Sequence, residues 1–187
     1  MNSAECMKQA VLDFTVELAP MFAGIGNYIT KEQSKLKEIA ARSGKSPNDI
    51  YRELAKVPNA FATYRTDTNQ VLGTVGNRYE IIQNIEAFDF FDEVIGEGHA
   101  QYETAGALGD GQTIFITAKL PENLLVNKED IDKYLLFTMS HDGTSSIKVM
   151  FTPIRVVCNN TLSWALKGQG AVTIKHTANA RNRLDVA

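Results

Sequence analysis

The sequence predicts an α+β fold: antiparallel β hairpins packed against helices on one side, with an N-terminal helical segment ahead of them. Three observations predict it. Apolar residues recur near helical spacing through the first sixty positions. β-forming residues separated by turn residues take over at Pro58. One stretch with a broad apolar helical face, 84–95, sits between hairpins. The organisation expected is a helical segment over 1–58 and an α+β unit over 59–187, forming one compact body.

Taken in order, Ala4–Leu18 places Val11, Leu12, Phe14, Val16 and Leu18 among Glu5, Lys8, Asp13 and Glu17, an imperfect amphipathic stripe that Pro20, Gly24 and Gly26 interrupt. Thr30 and Gln33 offer a capping box for a helix running to Arg42 and closed near Gly44. Ser46-Pro47 with Asp49 starts a shorter helix that reaches Val57, with Ile50 and Leu54 inward. Phe61–Arg65 and Val71–Val75, joined through Thr66–Asn69, make a first hairpin. Tyr79–Gln83 continues extended. Asn84 then caps a helix to Glu93 or Ile95, with Ile85, Phe88, Phe91 (or Phe90), Val94 and Ile95 on its apolar face. Ala100–Ala107 and Thr113–Leu120 form a second hairpin around Gly109-Asp110-Gly111, a pair of residue types suited to positive φ. After a polar connection, Tyr134–Met139 and Ile147–Phe151 form a third, around His141-Asp142-Gly143. Arg155–Leu166 starts β-like and turns helical where Asn159 or Asn160 caps it. Val172–Lys175 is a last strand, and the tail carries no turn signal.

Composition bounds the function classes. With 187 residues, 44% hydrophobic and 22% charged, the chain has the makings of one good core. No stretch approaches the roughly 18 apolar residues of a membrane span, and the N-terminus lacks a basic-then-apolar leader. A cytoplasmic location without membrane contact is therefore expected. Cys6 and Cys158 lie far apart and outside any paired-cysteine motif, so both are expected to be free, buried thiols.

Net charge is −3, yet Ser140–Ala187 carries six basic residues, Lys148, Arg155, Lys167, Lys175, Arg181 and Arg183, against Asp142 and Asp185. These six are the candidate phosphate contacts. Arg155, with Asn159 and Asn160, is suited to an anionic or nucleotide ligand, although the same asparagines suit a strand-to-helix corner. His176 is a conceivable phosphate contact; a solvated tail is the plainer expectation. Tyr64, Tyr79 and Trp164 are candidate stacking residues, with Trp164 expected in the core.

Catalytic signatures are missing from the sequence. Gly73-Thr74-Val75-Gly76 lacks the third glycine and following helix of a dinucleotide site and reads as a turn. His141 and Asp142 are adjacent in an extended segment and point to opposite faces, poor geometry for joint ligation of a metal; a hairpin turn is the simpler reading. Glu86, Asp89 and Glu93 share a helix face, expected to be solvated rather than metal-binding. Residues 36–54 place Ala40, Gly44 and Ile50 at helix-turn-helix offsets, but Lys45 stands at a usually apolar position. Asp49 and Glu53 would repel phosphates, so a plain helical hairpin is preferred. No cofactor or metal is expected, and enzymatic activity is not.

Several motifs together carry a resemblance. Tyr64-Arg65-Thr66-Asp67-Thr68, Leu72-Gly73-Thr74-Val75-Gly76-Asn77-Arg78-Tyr79, Gln83-Asn84, Ala105-Gly106-Ala107-Leu108, Ser140-His141-Asp142-Gly143, Arg155–Leu162 and Lys175-His176-Thr177 occur in order. From about Phe61 onward the chain resembles the phage/plasmid-like family, the domain of unknown function nine-three-two. The resemblance implies carriage by bacteriophages and plasmids and supplies no catalytic residues. Members of that family usually extend further at the C-terminus, so a short or truncated member is expected. The order hairpin, helix, hairpin is also similar to the core of ring-forming single-strand annealing recombinases, an analogy of fold alone.

The expectation is a noncatalytic nucleic-acid-binding protein of a mobile element, acting in annealing, recombination or replication, with single-stranded DNA as partner and homo-oligomers adding weak patches together. The alternative is an interaction module that modulates a host defence or regulatory protein through its acidic N-terminal two-thirds.

Overall fold

The computed structural model describes residues 3–24, 40–44, 46, 54–96, 101–121, 123–126 and 128–184. Most of the two helices expected between Thr30 and Val57, and of the helix-turn-helix reading over 36–54, lies outside them. Residues 40–43 are helical, and Gly44 follows at φ +67°.

The chain opens with α1 (Ser3–Gln9), much shorter than the helix expected over Ala4–Leu18. Its end is a left-handed closure: Leu12 N–H donates to Met7 O at 2.9 Å and Val11 N–H to Lys8 O at 3.2 Å, with Val11 at φ +55°. Beyond it, Leu12, Phe14 and Val16 are buried while Asp13, Thr15 and Glu17 are exposed, a period of two that carries into strand β1 (Val16–Gly24). The apolar spacing that resembled a helical stripe is this alternation. Pro20 sits beside the bulge of edge strand β1, a position that spares the ladder its missing N–H.

β1 pairs antiparallel with β2 (Leu54–Arg65), which pairs with β3 (Val71–Gly76), giving a three-stranded sheet. Residues 54–57, expected to end a helix, therefore belong to a strand, and β1 brings residues from before position 58 into the same sheet. The hairpin β2–β3 forms where expected. Gly73 lies inside β3 rather than in a turn.

Helix α2 (Asn84–Ile95) follows and ends at Gly96, φ +67°. It buries Ala87, Phe88, Phe90 and Phe91, whereas Ile85 and Val94 are each nearly half exposed, so its inward face is rotated from the one expected. The residue at its cap is Gln83. Asn84, expected in that role, begins the helix and turns its side chain elsewhere.

Then come β4 (Gln101–Leu108), β5 (Thr113–Lys119), β8 (Tyr134–Ser140), β9 (Ile147–Thr152) and β10 (Val172–Ile174), in a second sheet of order β10-β9-β8-β5-β4, all antiparallel. The polar connection before β8 holds a small hairpin of β6 (Leu124–Val126) and β7 (Glu129–Ile131), which sequence reading missed. Helix α3 (Asn159–Ala165) and a short helix α4 (Ala180–Leu184) complete the described chain; α4 falls in the tail, for which no element was assigned from sequence.

Alternation along the central strands assigns two cores. Ile114, Ile116 and Ala118 of β5, Leu135, Phe137 and Met139 of β8, and Ile147 of β9 join Phe88 and Phe91 of α2. Phe115, Leu136 and Met150 turn to the opposite face and meet Leu162 and Ala165 of α3. Helices thus cover both faces of the larger sheet, not one. Every residue of β8 is buried, as a central strand between two layers requires. Fully burying Phe88, Phe91 and Phe137 contributes on the order of 2 kcal/mol each.

The smaller sheet closes on the loop after β8. A Cβ on Gly73 would lie 2.5 Å from Asp142 Cα, and one on Gly143 would lie 2.9 Å from Val75 Cγ1. Backbone against backbone has no flexible side chain to give way. Gly73→Ala is expected to cost about 3 kcal/mol or more in urea unfolding, whereas Gly76→Ala, whose nearest neighbour is Asn59 O at 3.8 Å, serves as the mild control. At the end of α1, Val11 is 63% exposed and its left-handed backbone is strained for a β-branched residue. Val11→Gly should therefore raise stability by about 1 kcal/mol, seen as a higher melting temperature, against the usual effect of adding glycine.

Candidate functional site

Several residues that link the two sheets lie in the irregular connector from Asn77 to Gln83 and in the first turn of α2; Arg65 of β2 adds another link, donating to Asp110 O in the turn between β4 and β5 at 3.0 Å. Gln83 treats β1 as a pairing partner: its Nε2 donates to Val16 O at 2.8 Å, and its Oε1 accepts the Val16 N–H at 3.0 Å. The buried Asn84 carboxamide donates to Leu12 O at 2.9 Å and to Phe14 O at 3.3 Å. Its Oδ1 lies 2.8 Å from His141 Nε2. Because the amide nitrogen faces two carbonyls, Oδ1 accepts, so His141 carries its proton on Nε2. Nδ1 of His141 is then a bare, buried acceptor without a protein partner.

A second histidine completes the junction. His176, expected in a solvated tail, is buried and stacks on Tyr79 with ring centroids 4.9 Å apart. Its Nδ1 donates to Glu80 O at 3.2 Å, leaving Nε2 bare. The Tyr79 hydroxyl donates to Ser140 O at 2.8 Å, so Tyr79 is not available to stack a base. Burial, and then the Asp142 charge, raise its phenol above the ordinary range. Burial lowers His141 to about 4, helped by the nearby His176 and opposed by Asp142. Burial also lowers His176, against the Glu80 carbonyl and carboxylate. Both rings are neutral near pH 7 and fixed by hydrogen bonds. Asp142 points away from His141 and closes its own loop, its Oδ1 accepting the Thr144 N–H at 2.9 Å and the Thr144 hydroxyl at 2.6 Å. The pair cannot act together on a metal or a substrate.

Arg181, one of the six candidate phosphate contacts, is engaged within this frame. It donates to Glu80 at 2.7 Å, to Glu86, and to Ile81 O at 2.8 Å. Burial alone would raise the Glu86 carboxyl, but Arg181 and the Gln83 N–H hold it below its ordinary value. The acidic face of α2 is thus partly neutralised, with Glu86, Asp89, Glu93 and Arg181 lining one shallow cleft. Among the described residues no three His, Cys, Asp or Glu side chains converge as metal ligands, and no helix is long and apolar enough to cross a membrane.

The remaining candidates separate. Arg155 pairs with Glu103 at 2.6 Å. Lys167 is exposed just beyond α3, and Lys175 and Arg183 are exposed near the C-terminus. Lys148, half-buried on β9, and Asn159, on α3, line a common cleft. Asn160 is exposed on the outer side of α3. So is Trp164, 59% exposed although expected in the core: Leu162 and Ala165 take the inward positions, and residue 164 falls on the other side of the helix. Asn160 and Trp164 follow at four-residue spacing on that outer side, and Lys167 is exposed in the turn that ends α3. Cys158, just before α3, is exposed rather than buried, and the Thr161 N–H and hydroxyl hold its thiol below the usual value. Cys6 is buried as expected.

Sequence reading missed Asn84 and His141 as a linked pair. Their sequence neighbours, Gln83 and Glu86 for the one and Ser140, Asp142 and Gly143 for the other, are polar or turn-forming, so locally the two have the look of a cap and a turn.

The Asn84 amide leaves two carbonyls and the His141 N–H unpaired if it is removed. Asn84→Ala should cost on the order of 3 kcal/mol in urea unfolding. The histidines set a pH dependence. A folded-state value depressed below the ordinary 6.5 favours the neutral form, so stability is full above about pH 6.5 and falls as the pH drops towards about 4. Melting temperatures from pH 7.5 to 4.5 should show that fall, and His141→Gln should flatten it.

A family described as a domain of unknown function (DUF932) matches residues 71–187. No curated protein and no solved structure matches the chain. Its match covers β3, α2, the whole larger sheet and both C-terminal helices, more than half of the chain, and the protein accordingly belongs to the domain-of-unknown-function family DUF932.

Proposed function

We propose that this protein is a noncatalytic, cytoplasmic single-strand nucleic-acid-binding protein of a mobile element, serving annealing, recombination or replication. Its binding surface is the outer side of α3 with the strands beside it. The observation that carries the reading is the exposure of Trp164 in the region of lowest negative charge. From Gly143 to Leu184 the chain has six Lys or Arg and no Asp or Glu, and Trp164 stands 59% exposed within it. An exposed indole costs apolar surface that a core position would have hidden. A base stacked on it recovers that cost and contributes about 1–3 kcal/mol, with little dependence on base identity.

Lys167, one turn beyond Trp164, is placed for the phosphate flanking a stacked base, and Lys148 lies on the sheet side of the same helix. Neither makes an ion pair within the described structure, unlike Arg155 and Arg181. The proposed contacts are therefore Trp164, Lys167, Lys148 and the amides of Asn159 and Asn160. Lys175 and Arg183 add long-range attraction.

Trp164 is the only tryptophan in the chain, so it reports its own contact. Adding oligo(dT) of about 16 nucleotides at low salt should quench its fluorescence, and raising salt should reverse the quench. Trp164→Ala should weaken binding roughly tenfold by anisotropy of a labelled strand. Lys167→Ala should lower the salt slope by about 0.7. A tryptophan signal that ignores the oligonucleotide at low salt would overturn the reading.

A further inference from the structure

The cleft between α3 and the second face of the larger sheet has a volume of about 170 Å³. Leu108, Leu162 and Leu166 make an apolar wall, and Lys148, Asn159 and Ser163 bring an ammonium, an amide and a hydroxyl to the same space. No carboxylate lines it. Lys148 is half-buried yet pairs with no acid in the described structure, and Asn159, exposed at the start of α3, makes no side-chain hydrogen bond to the described residues. A lysine partly withdrawn from water without a counter-charge carries a desolvation cost that a bound anion offsets. An idle amide beside an apolar wall suits a ligand with a flat apolar face and a polar edge. A nucleotide has both a phosphate for the one and a base for the other.

We infer that this cleft is a nucleotide site: the phosphate at Lys148 Nζ, the base or sugar against the leucine wall, the base edge within reach of Asn159. The inference deepens the proposed function and rests on it for the source of the nucleotide, which is one unit of the strand stacked on Trp164. One such unit occupies the cleft, and neighbouring nucleotides run over the outer side of α3.

The test uses the full chain and two probes, dTMP and oligo(dT), followed by amide NMR and by Trp164 fluorescence. The expected result is that dTMP shifts the Asn159 and Ser163 signals, and that Lys148→Met abolishes those shifts and weakens oligo(dT) roughly tenfold. Asn159→Ala should reduce the dTMP shifts while leaving the salt slope unchanged, which separates the amide from the charge. Quenching of Trp164 by oligo(dT), with cleft signals unmoved by dTMP and Lys148→Met binding as wild type, overturns the cleft and leaves the strand-binding reading intact. Cleft shifts with dTMP but no response of Trp164 to oligo(dT) support the cleft and overturn the strand. Silence towards both probes overturns both.

Discussion

The carboxamide of Asn84 is a buried hub that ties the segment leading into β1 to the end of β8. One buried side chain reaches Leu12 O and Phe14 O ahead of β1 and the ring of His141 at the end of β8, from a position fixed by the first turn of α2. Each bond is modest by itself, about 1 kcal/mol net, but the groups it satisfies have no water to turn to. Losing the hub would strand them in a low-dielectric interior, where an unpaired polar group is most costly. Gln83 beside it binds Val16 on both backbone groups, and Tyr79, His176 and Arg181 fasten the same connector to the C-terminal segment. The close approach of Gly73 to Asp142 is possible only with the loop held at that height.

Four of the motifs that carry the resemblance gather at this junction. Tyr79, Gln83-Asn84, Ser140-His141-Asp142-Gly143 and Lys175-His176-Thr177 are scattered in sequence and adjoin in space, and what they do there is hydrogen-bond one another and the backbone. Of their titratable members, Tyr79, His141 and His176 are held by hydrogen bonds and Asp142 is closed into its own turn, while Lys175 is exposed. Such an arrangement builds a frame and offers no nucleophile to a substrate. Apart from the bare ring nitrogens of His141 and His176, which are buried, the groups open to a ligand lie on and beneath α3, in the part of the chain without carboxylates. Frame and contact surface are therefore separate, joined by the larger sheet, whose one face packs on α2 and whose other face packs on α3.

Much of the frame was legible in the sequence. The hairpins around Gly109-Asp110-Gly111 and around His141-Asp142-Gly143, the helix after Gln83 and the turn into helix near Asn159 all announce themselves through local chemistry, and each formed where turn residues and periodicity placed it. The failures share a cause. Leu12-Asp13-Phe14-Thr15-Val16 fits a sparse helical stripe and a strict alternation almost equally well, and pairing with β2, some forty residues away, decides between them. Trp164 and His176 were misplaced because burial depends on which side of α3 meets the sheet and on Tyr79 arriving from another part of the chain. Of the six candidate cations, composition could count them, but only the fold shows Arg181 and Arg155 occupied by glutamates and Lys148 beside Asn159 in a cleft.

The claim on which these relations depend is that the Asn84–His141 junction makes the two sheets one cooperative unit. Native-state hydrogen exchange tests it most directly, by comparing backbone amides of β2 in the smaller sheet with those of β8 in the larger. The account predicts a single opening free energy for both in the wild-type chain, and separate values, lower for β2 than for β8, once Asn84→Ala removes the link. Independent opening of β2 and β8 in the wild-type protein would contradict it.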